Sequence, residues 1–117
     1  MKQTEGNEFA KTFENLSMEL RRGTVVLSVL SQLQKPQYGY SLVEVLREKG
    51  IPVEAGTLYP LLRRLESQQL LESMWDTDGT KPRKYYALTK HGRDMLELLS
   101  KEWQDVTKSM IGLLRQE

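Results

Sequence analysis

The stretch LYPLLRRLESQQLLESMWDTDGTKPRKYYALT, residues 58–89, changes its hydrophobic period midway, and that change decides the fold. Its first part repeats at helical spacing: Leu58, Leu61, Leu62 and Leu65 stand at i, i+3, i+4 and i+7, the buried stripe of an amphipathic helix. Pro60 belongs within the first turn or so of this helix, since deeper in it removes a backbone hydrogen bond. From Leu71 the period falls to two. Leu71, Ser73 and Trp75 alternate with Glu72, Met74 and Asp76, as in a half-buried strand. Thr77-Asp78-Gly79-Thr80 reads as a turn punctuated by Asp-Gly. Arg83 to Leu88 is the return strand, rich in β-favouring tyrosine. Thr89 then stands as the N-cap of a long last helix reaching about Leu114.

Upstream, Phe9, Phe13, Leu16, Leu20, Leu27 and Leu30 follow three- and four-residue steps with one two-turn step of seven, and Val26 and Leu33 widen the stripe, which predicts one helix from about Glu8 to Leu33. Lys35-Pro36-Gln37 stops it. A second helix is expected from about Gly39 to Lys49, with Leu42, Val45 and Leu46 on one face and Gly50 at its C-terminal stop. Three helices, a two-stranded hairpin and a long helix make a mainly α fold with a small β-hairpin: a winged helix-turn-helix with an appended C-terminal helix. Residues 1–89 read as the winged-helix unit, including the N-terminal helix, and 90–117 as a dimerisation helix, the two forming one structural unit. Neither an internal repeat nor a Pro/Gly/Ser linker divides the chain.

Composition narrows the function. The 117 residues suit one core. The chain lacks cysteine, which excludes disulfides, thiolate metal sites and cysteine redox sensing, and no cofactor is implied. His91, the only histidine, reads as an ordinary surface residue beside a helix start, so a histidine-centred catalytic site has little to build on. No apolar run approaches the ~20 residues that span a bilayer, and residues 1–6 lead into polar helix-like sequence rather than a signal-peptide block. A cytoplasmic protein is expected. Net charge is only +1, but its distribution is uneven. From Gly79 to Arg93 stand Lys81, Arg83, Lys84, Lys90 and Arg93 with no acid, whereas Glu5, Glu8, Glu14 and Glu19 gather near the start.

If Leu58, Leu61, Leu62 and Leu65 are buried, then Gly56, Pro60, Arg63 and Ser67 point outward, flanked by Tyr59 and Arg64. Such a face suits a DNA major groove: arginine pairs with guanine or holds a phosphate, and Thr57 and Tyr59 supply hydroxyls near the helix start. The hairpin residues Thr80, Lys81, Arg83 and Lys84 are candidates for phosphates or an adjacent minor groove.

Three segments carry a family resemblance: YGYSL at 38–42, GTLYPLLRRLE at 56–66 and PRKYYALTKHGR at 82–93. Together they resemble the signature of the PadR family, bacterial winged-helix transcriptional regulators that are usually repressors. The short chain is similar to the subfamily with a single C-terminal dimerisation helix. The resemblance runs from about Val25 to Leu99 and implies DNA contacts from Tyr38, Thr57, Tyr59, Arg63, Arg64, Lys81 and Arg83. One departure is visible: Thr80-Lys81-Pro82 stands where many relatives have a Gly-Pro-type tip.

The last helix carries a heptad seam. Leu96, Leu99, Trp103, Val106, Met110 and Leu113 step by 3, 4, 3, 4 and 3, with Leu98 and Leu114 widening it, and such a seam implies packing against a partner. The resemblance implies that this helix and the first one build a homodimer, which brings in Phe9, Phe13, Leu16 and Leu20. Two-fold symmetry sets two reading helices about 34 Å apart on a palindromic operator. Trp103 has two readings. It is a packed interface anchor, or, as in some regulators this chain resembles, it stacks a flat hydrophobic effector at the dimer centre, with Met95, Phe13, Met110, Phe9 and Met18 as lining. The main rival to a DNA-binding regulator is a winged-helix protein-interaction module. An enzyme built on Asp76 and Asp78, the hairpin acids, ranks behind both, because a mobile tip is poor ground for paired carboxylates.

Overall fold

The computed structural model describes residues 2–116, and the side chains of 6–116, so that of Glu5 lies outside it. Five helices and three short strands follow one another: α1 (Lys2–Arg22), α2 (Val25–Ser31), β1 (Gln37–Tyr38), α3 (Gly39–Glu48), α4 (Ala55–Ser67), β2 (Leu71–Asp76), β3 (Arg83–Leu88) and α5 (Lys90–Arg115). The strands form an antiparallel sheet in the order β1-β3-β2, with Leu71 opposite Leu88 and Asp76 opposite Arg83. The winged-helix hairpin therefore has the strand limits that the period-two alternation predicts.

One buried cluster holds these elements together. Val29, Leu30 and Leu33 come from α2 and its end, Leu42 and Leu46 from α3, Leu58, Leu62 and Leu65 from α4, and Leu71, Tyr86 and Leu88 from the sheet. Each fully buried leucine contributes roughly 1.5–3 kcal/mol relative to exposure. Main-chain bonds tie the layers: the Leu88 N–H donates to the Leu33 carbonyl at 2.9 Å, and the Thr89 N–H to the Leu70 carbonyl at 3.1 Å.

The structure departs from the sequence reading at three places. The single N-terminal helix is two. Gly23, a poor helix residue, precedes a turn in which the Thr24 N–H and hydroxyl both donate to the Arg21 carbonyl, at 2.9 and 2.7 Å. Pro60 lies beyond the first turn of its helix, because α4 begins at Ala55, before the leucine stripe does. Its missing N–H deprives the Gly56 carbonyl of a partner, and Gly56 is exposed, so water can serve. Strand β1, two residues long, sits where only a helix stop was read.

The start of α5 is built on close approach. Thr89 Oγ1 accepts the Gly92 N–H at 3.0 Å and donates to the Gln69 carbonyl at 2.6 Å, confirming Thr89 as the N-cap. Gly92 is buried so near the Leu70 carbonyl that a Cβ there would collide with backbone. Gly92→Ala is expected to destabilise the fold by about 1–3 kcal/mol, read as a lowered midpoint in thermal denaturation. An unchanged midpoint would contradict this packing.

Candidate nucleic-acid interface

The leucines that anchor α4 also set what it presents. Leu58 and Leu62 are fully buried and Leu65 nearly so, which turns Gly56, Thr57, Pro60, Arg63, Arg64 and Ser67 to solvent. Among the described residues one ion pair is formed, and neither Arg63 nor Arg64 takes part. Both guanidiniums thus stand on an exposed helix face without an acid to satisfy them. Tyr59 differs from its neighbours. It is half-buried and packs under the first residue of α3, where a Cβ on Gly39 would lie 2.8 Å from Tyr59 Oη. Gly39 is thus the residue that lets α4 lie so close to the start of α3.

The wing is the β2–β3 hairpin. Its loop exposes Thr80 and Lys81, and Arg83 at the base is exposed as well. Lys84 is committed elsewhere. Its Nζ lies 3.8 Å from Glu66 Oε1 in α4 and over the rings of Trp75 and Tyr86, at 5.8 and 5.5 Å. Ser73 also donates a short hydrogen bond to Glu66. Lys84, which the sequence places among the DNA contacts, thus also joins the wing to α4 while remaining one-third exposed, and the hairpin's exposed positive charges are Lys81 and Arg83. Trp75, expected on a half-buried face, is 63% exposed beside Lys84.

Tyr38 connects the wing to the helices. Its hydroxyl donates to Asp76 Oδ2 at 2.7 Å, its ring stacks on Tyr40 at 6.2 Å, and Arg83 lies 5.3 Å above its centroid. The hydroxyl it receives, with the Asp78 N–H second, holds the Asp76 carboxyl below the usual carboxylate range. The same bond to Asp76 raises the Tyr38 phenol above its ordinary value. Sequence flagged both residues separately, but nothing in their spacing joins positions 38 residues apart.

A second surface lies on the long helices. On α1, Phe9, Phe13, Leu16, Met18 and Leu20 are all exposed, Phe9 at 78%. On α5 the heptad divides. Met95, Leu96 and Leu99 are partly buried against the chain's own core, whereas Trp103, Val106, Met110 and Leu113 stand open, Trp103 at 49%. His91 is an exposed residue of the first turn of α5.

Comparison with known proteins agrees with this geometry. Residues 26–98 match the Transcriptional regulator PadR-like family. A PadR family transcriptional regulator from Eggerthella lenta is 48% identical and superposes with a TM-score of 0.90 over 94% of this chain and 98% of its own. A PadR family transcription regulator from Clostridium difficile is 34% identical, with a TM-score of 0.72 over 78% of this chain and 98% of its own. A transcriptional regulator of Mycobacterium tuberculosis is 30% identical over 80% of this chain and 89% of its own. With the signature residues lying on α3, α4 and the hairpin of a winged helix, this chain belongs to the PadR-like family of transcriptional regulators, which act by binding DNA and not by catalysis.

Proposed function

We propose that the chain is a homodimeric repressor that grips a palindromic operator and is released from it by a small hydrophobic effector. The observation that carries the DNA half of this reading is the outward face of α4, where Arg63 and Arg64 stand beside Thr57 and Pro60 without an acid partner among the described residues. Its α4 reads the major groove, with Tyr59 near the backbone, while Thr80, Lys81 and Arg83 hold phosphates and Tyr38 supports Arg83 from beneath. A protein-interaction module would have little use for two unpaired arginines on this face.

Homodimerisation is supported by the apolar faces left on α1 and α5. The chain measures 58 × 37 × 23 Å with a radius of gyration of 17.8 Å, against about 13 Å for a compact domain of its length. Exposed Phe9, Phe13, Leu16, Leu20, Trp103, Val106, Met110 and Leu113 exceed what a monomer ordinarily leaves to water, and a second copy covers them. Trp103 then sits in the joined faces with Phe13 and Met110, and with Met95 at the domain side, as a stacking surface for a flat aromatic ligand. Such a ligand relieves repression only by its differential affinity for the two dimer geometries.

Two experiments test this. The protein is titrated against labelled duplex from its own upstream region at two salt concentrations, beside the Arg63→Ala/Arg64→Ala double variant. The wild type is expected to bind tightly and weaken steeply with salt. The double variant is expected to lose about 30-fold or more, each of the two arginine contacts being worth roughly 1–3 kcal/mol. Equal binding by both proteins would remove α4 as the reading helix. For the effector, flat aromatic cations and flavins are added while tryptophan fluorescence is followed. Saturable quenching that disappears in Trp103→Ala and lowers DNA affinity is expected, and a Trp103 insensitive to every such ligand would leave it a packing anchor.

A further inference from the structure

Asp76 is an acid among the basic residues of the wing, a position where a bare carboxylate would repel the DNA backbone. It closes β2 and stands opposite Arg83 in the strand register. Both of its oxygens are engaged. Oδ2 accepts the Tyr38 hydroxyl at 2.7 Å, and Oδ1 accepts the backbone N–H of Asp78 at 3.1 Å. The first bond ties the wing to the residue that precedes α3, and the second fixes the first bend of the wing loop. Tyr38 in turn carries Arg83, whose guanidinium lies 5.3 Å from the ring centroid. Tyr40, stacked at 6.2 Å, and Tyr85, edge-on at 5.8 Å, hold that ring from turning.

We propose that Asp76 is a positioning residue for DNA binding: through Tyr38 it holds Arg83, and through Asp78 the wing loop, in the geometry that meets the DNA backbone. This rests on the reading that Arg83 contacts DNA. A carboxylate suits the task because it accepts from two directions on two oxygens. Asparagine keeps the shape and removes the charge, but its amide nitrogen cannot accept, so with Oδ1 on the Asp78 N–H the bond to Tyr38 must reverse direction and loses its charge assistance.

Charge and positioning therefore predict opposite signs for Asp76→Asn. Removing an acid from a DNA-facing surface strengthens binding if repulsion is all that Asp76 contributes. Loosening Arg83 weakens it. The test is anisotropy titration of the full chain on a duplex it binds, with Asp76→Asn, Tyr38→Phe, Arg83→Ala and the Asp76→Asn/Arg83→Ala double variant. Asp76→Asn is expected to weaken binding about five-fold, the difference between a charge-assisted and a neutral hydrogen bond. Tyr38→Phe breaks the same link without changing charge, is expected to match it, and decides the matter if Asp76→Asn does not fold. In the Arg83→Ala background Asp76→Asn is expected to cost clearly less, what remains being its hold on the wing loop through Asp78. Arg83→Ala is itself expected to lower the salt slope by about one. Unchanged or tighter binding by Asp76→Asn, with Arg83→Ala weakened, overturns the proposal alone. So does a loss that persists undiminished in the Arg83→Ala background, which would mark a merely structural residue. Wild-type binding by Arg83→Ala overturns the wing contact and the proposal with it.

Discussion

Burial of Leu58, Leu62 and Leu65 on one side of α4 is the constraint on which the rest of the molecule depends. These residues meet the apolar sides of α3 and the sheet, and a helix pinned along one stripe has no freedom to rotate about its axis. The opposite face is then determined, and it carries Arg63 and Arg64. A reading helix is useful only if its rotation is fixed, because one residue of slip would carry an arginine about 100° away from a base edge. The close seat of Tyr59 under Gly39 adds a second restraint on the same helix, near its start.

Around that helix the charges are sorted by whether they are already used. Lys84 is spent on Glu66, Trp75 and Tyr86, where it joins the wing to α4. Arg83 rests on the Tyr38 ring with its guanidinium edge available, and Lys81 and the two α4 arginines have no acid partner among the described residues. A near-neutral chain thus gathers unpaired cations locally, because no acid stands between Gly79 and Arg93. The aromatic residues of the wing base are its supports: Tyr38 and Tyr40 on one side, Trp75 and Tyr86 on the other.

Much of this was legible in the sequence where a period runs long enough to be counted. The leucine stripe of α4, the alternation of β2 and β3 and the threonine cap of α5 all announce themselves within a few residues. The break between α1 and α2 was not legible, because the apolar stripe continues through Gly23 and a single glycine inside a helix is a weak stop. Nor was β1, since two residues carry no period and owe their strand conformation to β3. The heptad of α5 is continuous in sequence but divides in space: Leu96 and Leu99 lie where the domain's own core reaches them, while Trp103 onward projects past it. Lys84 and Asp76 were read by charge alone, and what each does is set by Glu66 and Tyr38, residues that only the fold brings near.

The paired reading heads are the central claim, and hydroxyl-radical footprinting of the full chain on its upstream DNA tests them most directly. Two protected patches on one face of the duplex, centred about one helical turn apart and related by a two-fold axis, are the expected result. A single patch of half that extent, or uniform protection without symmetry, would contradict a dimer built on α1 and α5.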